Sequence, residues 1–185
     1  MNQDIKLLTD EDEGKKFKLT EGVDISRDGT IYFTDASCKY ALENCLRDIL
    51  EGRPYGRLLS YSPNTGETKV LLKDLYFPNG VAVSPDQQSL VFCETPLKRC
   101  RTYWIQGSKK GAVDAFIDNL PGFPDNIHCD GHNSYWIGLS SWLNPKLHVY
   151  DPAMSMITSG IKIENYLYIG SLHYDHIIRF NLSYS

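Results

Sequence analysis

The sequence predicts an all-β fold, a β-propeller with about four blades represented, and three observations carry that prediction. First, the segments EGVDISRDGTIYFTDAS from Glu21, NGVAVSPDQQSLVFCET from Asn79 and DNIHCDGHNSYWIGLSS from Asp125 share one design. Each has a polar pair, a short alternating strand, a turn rich in Asp, Gly, Pro or Asn, and an aromatic strand, which is the pattern of a hairpin. Second, between them lie GRLLSYSPNTGETKVLLKDL, RTYWIQGSKKGAVDAFIDNL and KLHVYDPAMSMIT, each reading as a strand, a turn and a second strand. Third, the polar pair returns at the same place in every unit. A β-sandwich also spaces short strands regularly, but it gives no reason for that return.

A weaker fourth copy, SGIKIENYLYIGSL, begins at Ser159. The chain then reads as one propeller domain with units at 17–75, 77–120, 122–158 and 159–185, and with 5–9 left over as an outer strand. The first unit is lengthened by SCKYALENCLRDILEGRPYG. In it Tyr40, Ala41, Leu42, Cys45, Leu46, Ile49 and Leu50 fall at helical spacing, before Gly52 and Pro54 stop the helix. That helix either packs an apolar face on the body or also lies over the channel mouth as a lid on a pocket.

Composition narrows the function. At 185 residues, 42 % hydrophobic and 23 % charged, the chain can build a core. A net charge of -4 offers no basic field for a nucleic-acid backbone. Apolar runs reach about five residues, far below the roughly 20 of a membrane-spanning helix. The N-terminus, MNQDIKLLTDEDEGKKF, lacks the apolar core of a signal peptide. Small molecules or proteins remain as partners, and oligomeric state is unknown from the sequence.

The five cysteines, Cys38, Cys45, Cys93, Cys100 and Cys129, cannot all pair within one chain. Cys93 and Cys100 flank the turn of CETPLKRC and can face each other across a hairpin, as a disulfide or as neighbouring buried thiols. The histidines, His128, His132, His148, His173 and His176, lack zinc-site spacing. No GxSxG elbow and no phosphate-cradling Walker loop occurs. Asn181-Leu182-Ser183 fits a glycosylation acceptor, a weak three-residue pattern.

Registering the copies puts Glu21, Asn79, Asp125 and Ser159 in one column and Gly22, Gly80, Asn126 and Gly160 in the next. In a propeller that column opens the innermost strands, so its side chains converge on one end of the channel. Glu21, Asn79, Asp125 and Asn126 offer only oxygen ligands with two formal negative charges, which suits a hard cation such as calcium. Alternatively they cap strand ends by bonding to backbone groups. Glycine in the second column permits the backbone dihedrals and close approach that a crowded axis requires.

VDISRDGTIYFTDASCKY, the stretch from Ile49 to Pro63, FPNGVAVSPD, FCETPLKRCRTYW and LPGFPDNIHCDG together resemble the plant strictosidine synthase-like family. That family is related to adipocyte plasma membrane-associated protein and, distantly, to the paraoxonases. The resemblance runs from Ile5 to Leu139 and resumes from Ser159 to Leu182. It implies a six-bladed propeller with a small-molecule pocket at one end of the channel. About four blades are represented here, so one or two N-terminal blades and a segment between SSWLNP and KLHVYDP are expected to be lacking, as in a shortened member. Pairing 5–9 with HIIRFNL would close a four-bladed ring.

The resemblance also implies chemistry. In the paraoxonase branch a calcium is held at the channel end, and Asn79, Asp125 and Asn126 match its ligands, while Glu21 stands where asparagine is usual. The paired histidines of that branch would lie upstream of Met1. Strictosidine synthase uses a glutamate about a dozen residues before the glycine of LYIG. Thr158 falls there and cannot transfer protons near neutral pH. The resemblance therefore implies calcium-assisted ester or lactone hydrolysis rather than strictosidine synthesis. The alternatives are a non-catalytic binding propeller or inactive paralogue, and an amine-aldehyde condensing synthase of alkaloid biosynthesis. Family membership further implies the secretory pathway, in the endoplasmic reticulum lumen or the vacuole.

Overall fold

A computed structural model describes residues 5–131, 134–140, 157–163, 166–171 and 178–181 of the chain. It opens with a small hairpin, β1 (Glu11–Asp12) and β2 (Lys15–Lys16). The first blade follows as β3 (Thr20–Ile25), β4 (Ile31–Asp35), the helix α1 (Cys45–Glu51), β5 (Gly56–Ser62) and β6 (Glu67–Leu75). The second blade is β7 (Pro78–Val83), β8 (Ser89–Glu94), β9 (Arg99–Trp104) and β10 (Val113–Ile117). Each of these two blades is one four-stranded antiparallel sheet in chain order.

Beyond them, β11 (Phe123–Cys129) pairs with β12 (Tyr135–Ser140) as the described part of a third blade, and β13 (Ile157–Ile163), β14 (Tyr166–Ser171) and β15 (Ile178–Asn181) form a separate three-stranded sheet. Of KLHVYDPAMSMIT, expected as outer strands, only Ile157 and Thr158 are described, and they begin β13; most of the short segment before it and the serine of the glycosylation pattern lie outside the described residues.

Period-two alternation gives each sheet two faces, and the blade interface is where apolar faces meet. Tyr32 and Leu58 of the first blade pack on Val81, Val83, Leu90, Phe92 and Tyr103 of the second. The second blade packs on the β11–β12 hairpin through Ala82, Val91, Cys93, Leu120 and Ile127. Polar bonds fix the same junction: Val83 N–H donates to the Asp24 carboxylate at 2.7 Å, and Arg27 N–H to the Gln87 side-chain oxygen at 2.8 Å.

Within each of the first two blades the second strand ends in a buried acid that meets an arginine directly opposite on the third. Asp35 accepts from Arg57 at 2.6 Å, and Glu94 from Arg99 at 2.6 Å. The acids also accept backbone N–H groups ahead of the innermost strand, from Leu19 to Asp35 and from Tyr76 to Glu94. Cys93 and Cys100 form a disulfide, the first of the two arrangements open from the sequence, because their positions are directly opposite in β8 and β9. Cys38, Cys45 and Cys129 are free thiols.

Two expectations change. The stretch 5–9 carries no strand: Ile5 and Leu7 are 98 % and 72 % exposed, and Thr9 is tied instead to Thr68 on β6 by a 2.8 Å hydroxyl bond. Among the described residues the sheet of β13, β14 and β15 contains no strand from the N-terminus. The helix is also shorter than its apolar pattern, running as a 3-10 turn at Leu42–Asn44 and then α1, with Gly52 closing it in the left-handed region. Its apolar residues divide. Cys45 and Ile49 face inward with the buried Asp48 between them, while Leu42, Leu46 and Leu50 are exposed.

Candidate functional site

The innermost strands β3, β7, β11 and β13 are neighbours in that order. The ladder in each of the first three breaks at the polar pair: between Thr20 and Val23, between Pro78 and Val81, and between Pro124 and Ile127. Glu21–Gly22, Asn79–Gly80 and Asp125–Asn126 thus stand as two residues opposite one, a β-bulge, with Thr34, Cys93 and Gly138 on the partner strands. A bulge suspends the ladder and re-aims side chains. That is the structural reason polar residues open these strands. In β13 the break falls between Ile157 and Ser159, so backbone register puts Thr158 at this level, one residue before the Ser159 expected there.

The second column is a matter of space. Neither Gly22 nor Gly80 has positive φ, so the dihedral part of the expectation fails and the close approach carries it. A Cβ on Gly22 would lie 2.6 Å from the Asn79 carbonyl oxygen, and one on Gly80 would lie 2.4 Å from Ile127 N. Side chains at these positions would drive neighbouring innermost strands apart.

Three of the four expected ligands influence one another electrostatically. Asn79 is buried at 6 % exposure, and its side chain lies near enough to the Asp125 carboxylate to favour its charged form. Its Oδ1 is buried with no hydrogen-bond partner among the described residues. Burial pushes the half-buried Asp125 up to about 6, with the Asn79 side chain pulling it partly back. Glu21 is pushed up to about 7, by burial first and by the Asp125 charge second. Glu21 as a residue is exposed although its carboxyl sits among desolvating neighbours, so solvent screens the pair and the displacement carries no fixed energy. Asn126 is half-buried and placed by its backbone, in the same bulge as Asp125.

Two crowded acids beside an unpartnered amide oxygen match the donor set of a calcium site, in oxygen chemistry and in charge. Among the described residues no three His, Cys, Asp or Glu side chains cluster as a metal site, at the column or elsewhere. His128 is exposed, and the other four histidines lie outside the described residues.

The lid reading of the helix has a structural basis at this end. Cys45 and Ile49 pack on Leu19 and Phe77, which precede β3 and β7. Asp48 is buried and accepts from the Ser37 hydroxyl at 2.5 Å. Phe77 holds φ of 46°, a left-handed value costly for a bulky residue, and its packing against Leu19 and Ala36 maintains it two residues ahead of Asn79. Ile49, Arg53, Tyr76, Phe77, Pro96 and Leu97 are among the residues lining a cavity of about 110 Å³ between the helix and the β8–β9 turn.

The sequence reading missed two residues that tie the column together. Thr34 Oγ1 accepts from Gly22 N–H at 2.9 Å and donates to the Asn79 carbonyl at 2.6 Å. Thr95 Oγ1 donates to the Pro124 carbonyl at 2.6 Å. Their only trace in the sequence is their place at the end of an aromatic strand.

With this geometry in hand, the relatives of the chain can be placed. The profile of the strictosidine synthase family matches residues 21–108. Strictosidine synthase-like 6 of Arabidopsis thaliana is 43 % identical over 219 aligned positions, covering 96 % of this chain and 58 % of that protein. This chain belongs to the strictosidine synthase-like family. It spans little more than half the length of that relative, and the alignment is longer than the chain itself, so the relative carries segments lacking here.

Among solved structures, a Xanthomonas campestris gluconolactonase superposes with a TM-score of 0.64 at 17 % identity, covering 89 % of this chain and 58 % of that one. A calcium-binding regucalcin from Agrobacterium tumefaciens superposes with a TM-score of 0.50 at 16 % identity, covering 88 % of this chain and 45 % of that one. At these identities the likeness establishes the fold, a partial propeller of the six-bladed type.

Proposed function

We propose that this member of the strictosidine synthase-like family holds calcium at the channel mouth through Glu21, Asn79, Asp125 and Asn126, and acts there on a small ester or lactone. The observation that carries the reading is the buried Oδ1 of Asn79, unpartnered among the described residues, beside two carboxyls raised by burial, Glu21 also by the Asp125 charge. An unpaired buried oxygen and a crowded acid pair are both costly, and one divalent cation satisfies both. The calcium-binding regucalcin and the gluconolactonase among the structural neighbours support this choice of ion and substrate class. A bound cation would polarise the carbonyl of an ester or lactone.

The chain's own residues do the remainder. Asn79 stands beside the Asp125 carboxylate and favours its charged form, and the close approach at Gly22 and Gly80 holds the strands that carry all four ligands. The α1 segment walls a cavity at the same end, where an apolar substrate portion would rest against Ile49, Phe77 and Leu97. Thr158 supplies no proton-transfer group at the column's level, which argues against an amine-aldehyde condensing activity.

A second reading, a binding propeller without turnover, is favoured by one observation. Once Glu21 and Asp125 serve as ligands, no side chain of the column remains to activate water. The Cys93–Cys100 disulfide supports an oxidising compartment such as the secretory pathway for either reading.

Calorimetric titration with calcium, followed by aryl-ester and lactone assays with and without chelator, tests the proposal. Calcium binding with chelator-sensitive turnover supports hydrolysis, and calcium binding without turnover supports the second reading. A chain that binds no calcium, or that turns over identically in chelator, overturns the role given to the ion.

A further inference from the structure

We infer that Thr34 and Thr95 are positioning residues for the channel mouth, two hydroxyl pins that set the spacing between the strands carrying Glu21, Asn79 and Asp125. The inference rests on the channel-mouth reading above and adds residues that touch no ligand.

A bulge leaves backbone groups without ladder partners, and two adjacent bulges at a crowded axis have no ladder between them. Thr34 answers both needs in the first blade. It stands opposite the Glu21–Gly22 bulge and is fully buried at 0 % exposure. Its Oγ1 accepts from Gly22 N–H at 2.9 Å and donates to the Asn79 carbonyl at 2.6 Å. One oxygen therefore connects the residue after Glu21 to the backbone of Asn79 itself, across the blade junction.

Thr95 does the corresponding work at the next junction. Its N–H donates to the Phe77 carbonyl at 3.3 Å, and its Oγ1 donates to the Pro124 carbonyl at 2.6 Å. It thus links the entry of β7 to the residue before Asp125, and it is 3 % exposed. The two pins act in series: Thr34 relates Glu21 to Asn79, and Thr95 relates Asn79 to Asp125. Buried hydroxyl bonds of this length in water-free surroundings are geometrically stiff. Losing one leaves a carbonyl unpaired and lets the strands slide by a fraction of an ångström, which a ligand set converging from three strands does not tolerate.

The test compares the full chain with Thr34→Val, Thr34→Ser, Thr95→Val and a control, Ser84→Ala. Ser84 is a buried turn hydroxyl bonded to Asp86 and Ser89, in a turn away from the column. Calcium affinity, melting temperature in chelator and the side-chain amide NMR resonance of Asn79 in metal-free protein are measured for each. Thr34→Val and Thr95→Val are expected to weaken calcium about 10- to 100-fold and to shift the Asn79 resonance. Thr34→Ser restores both, and Ser84→Ala lowers the melting temperature alone.

If Thr34→Val does not fold, Thr95→Val carries the test, since it strands a single carbonyl. Should the valine variants lose only melting temperature, as the control does, with affinity and the Asn79 resonance unchanged, the pins are merely structural and the inference is overturned. If the parent chain binds no calcium, the proposed function fails by itself, and the Asn79 resonance still decides for or against the pins.

Discussion

The first and second blades are two copies of one plan that meet the same structural demand with different chemistry. Both have a bulge at the polar pair, a buried acid at the end of the second strand and an arginine opposite it. They differ at the residue facing the bulge. In the first blade it is Thr34, whose hydroxyl reaches the next blade, opposite Leu58. In the second it is Cys93, locked to Cys100, and the link to the next blade moves two residues on to Thr95. A covalent bond within the sheet leaves no donor to spare for the neighbour. The position is thus under a demand for fixation, and the kind of fixation decides where the inter-blade bond must go.

The arginine pairs offer the largest contrast. Arg57 and Asp35 are 5 % and 0 % exposed, whereas Arg99 is 30 % exposed beside a Glu94 at 1 %. Arg57→Ala strands a fully buried acid and is expected to cost about 3–5 kcal/mol in urea unfolding. Arg99→Ala should cost less, because water reaches Glu94 through the opened space. Equal losses would show that the two pairs are not distinguished by burial.

Gly80→Ala comes next. A methyl group 2.4 Å from Ile127 N forces β7 and β11 apart, for an expected loss of about 1–3 kcal/mol together with weakened calcium binding. Gly29→Ala, at a turn where a Cβ meets nothing within 4 Å, supplies the contrast, with a loss from its φ of 86° and no change in calcium affinity.

Replacing the second blade's solution by the first's is a milder change. Cys93→Thr with Cys100→Leu removes a link closing a short loop, worth about 2 kcal/mol, and should leave the blade folded. Retention of full stability after reduction would show that the disulfide constrains little.

The smallest effect is in pH. Glu21 and Asp125 have folded-state values raised to about 7 and about 6, so the folded state holds protons more tightly than the unfolded chain. Without calcium, the contribution of these two acids to stability is greatest below the ordinary carboxyl range and declines as pH rises from about 4 to about 7. Calcium favours the ionised acids and offsets that decline. It is therefore expected to raise the melting temperature more at pH 7.5 than at pH 5.5, and equal shifts at both would contradict the acids' role as ligands.

Much of the fold was legible because strand pairing has a short period that survives in the sequence. IYFTD and SLVFCE alternate or run apolar between turn residues, and they form β4 and β8. The column of Glu21, Asn79 and Asp125 was legible for a related reason, since repeats in register put equivalent residues at equivalent places. The stretch 5–9 misled because its alternation of Ile5 and Leu7 has the strand period, yet alternation cannot reveal whether a partner strand exists. The helix misled in a different way: spacing marked Leu42, Leu46 and Leu50 as apolar, while the buried face went to Cys45, Asp48 and Ile49.

The sequence by itself determined the blade plan, the family, the oxygen-only character of the polar column and the facing of Cys93 and Cys100, because each depends on local period or on repetition. Tertiary structure decided that the polar pairs are bulges and that Gly22 and Gly80 are required by distance rather than by dihedral angle. It also decided that Thr158 stands at the column's level and that two threonines join neighbouring strands there. These are relations between segments dozens of residues apart, such as Thr34 with Asn79 and Thr95 with Pro124. No local pattern encodes the sub-ångström separation on which a converging set of ligands depends.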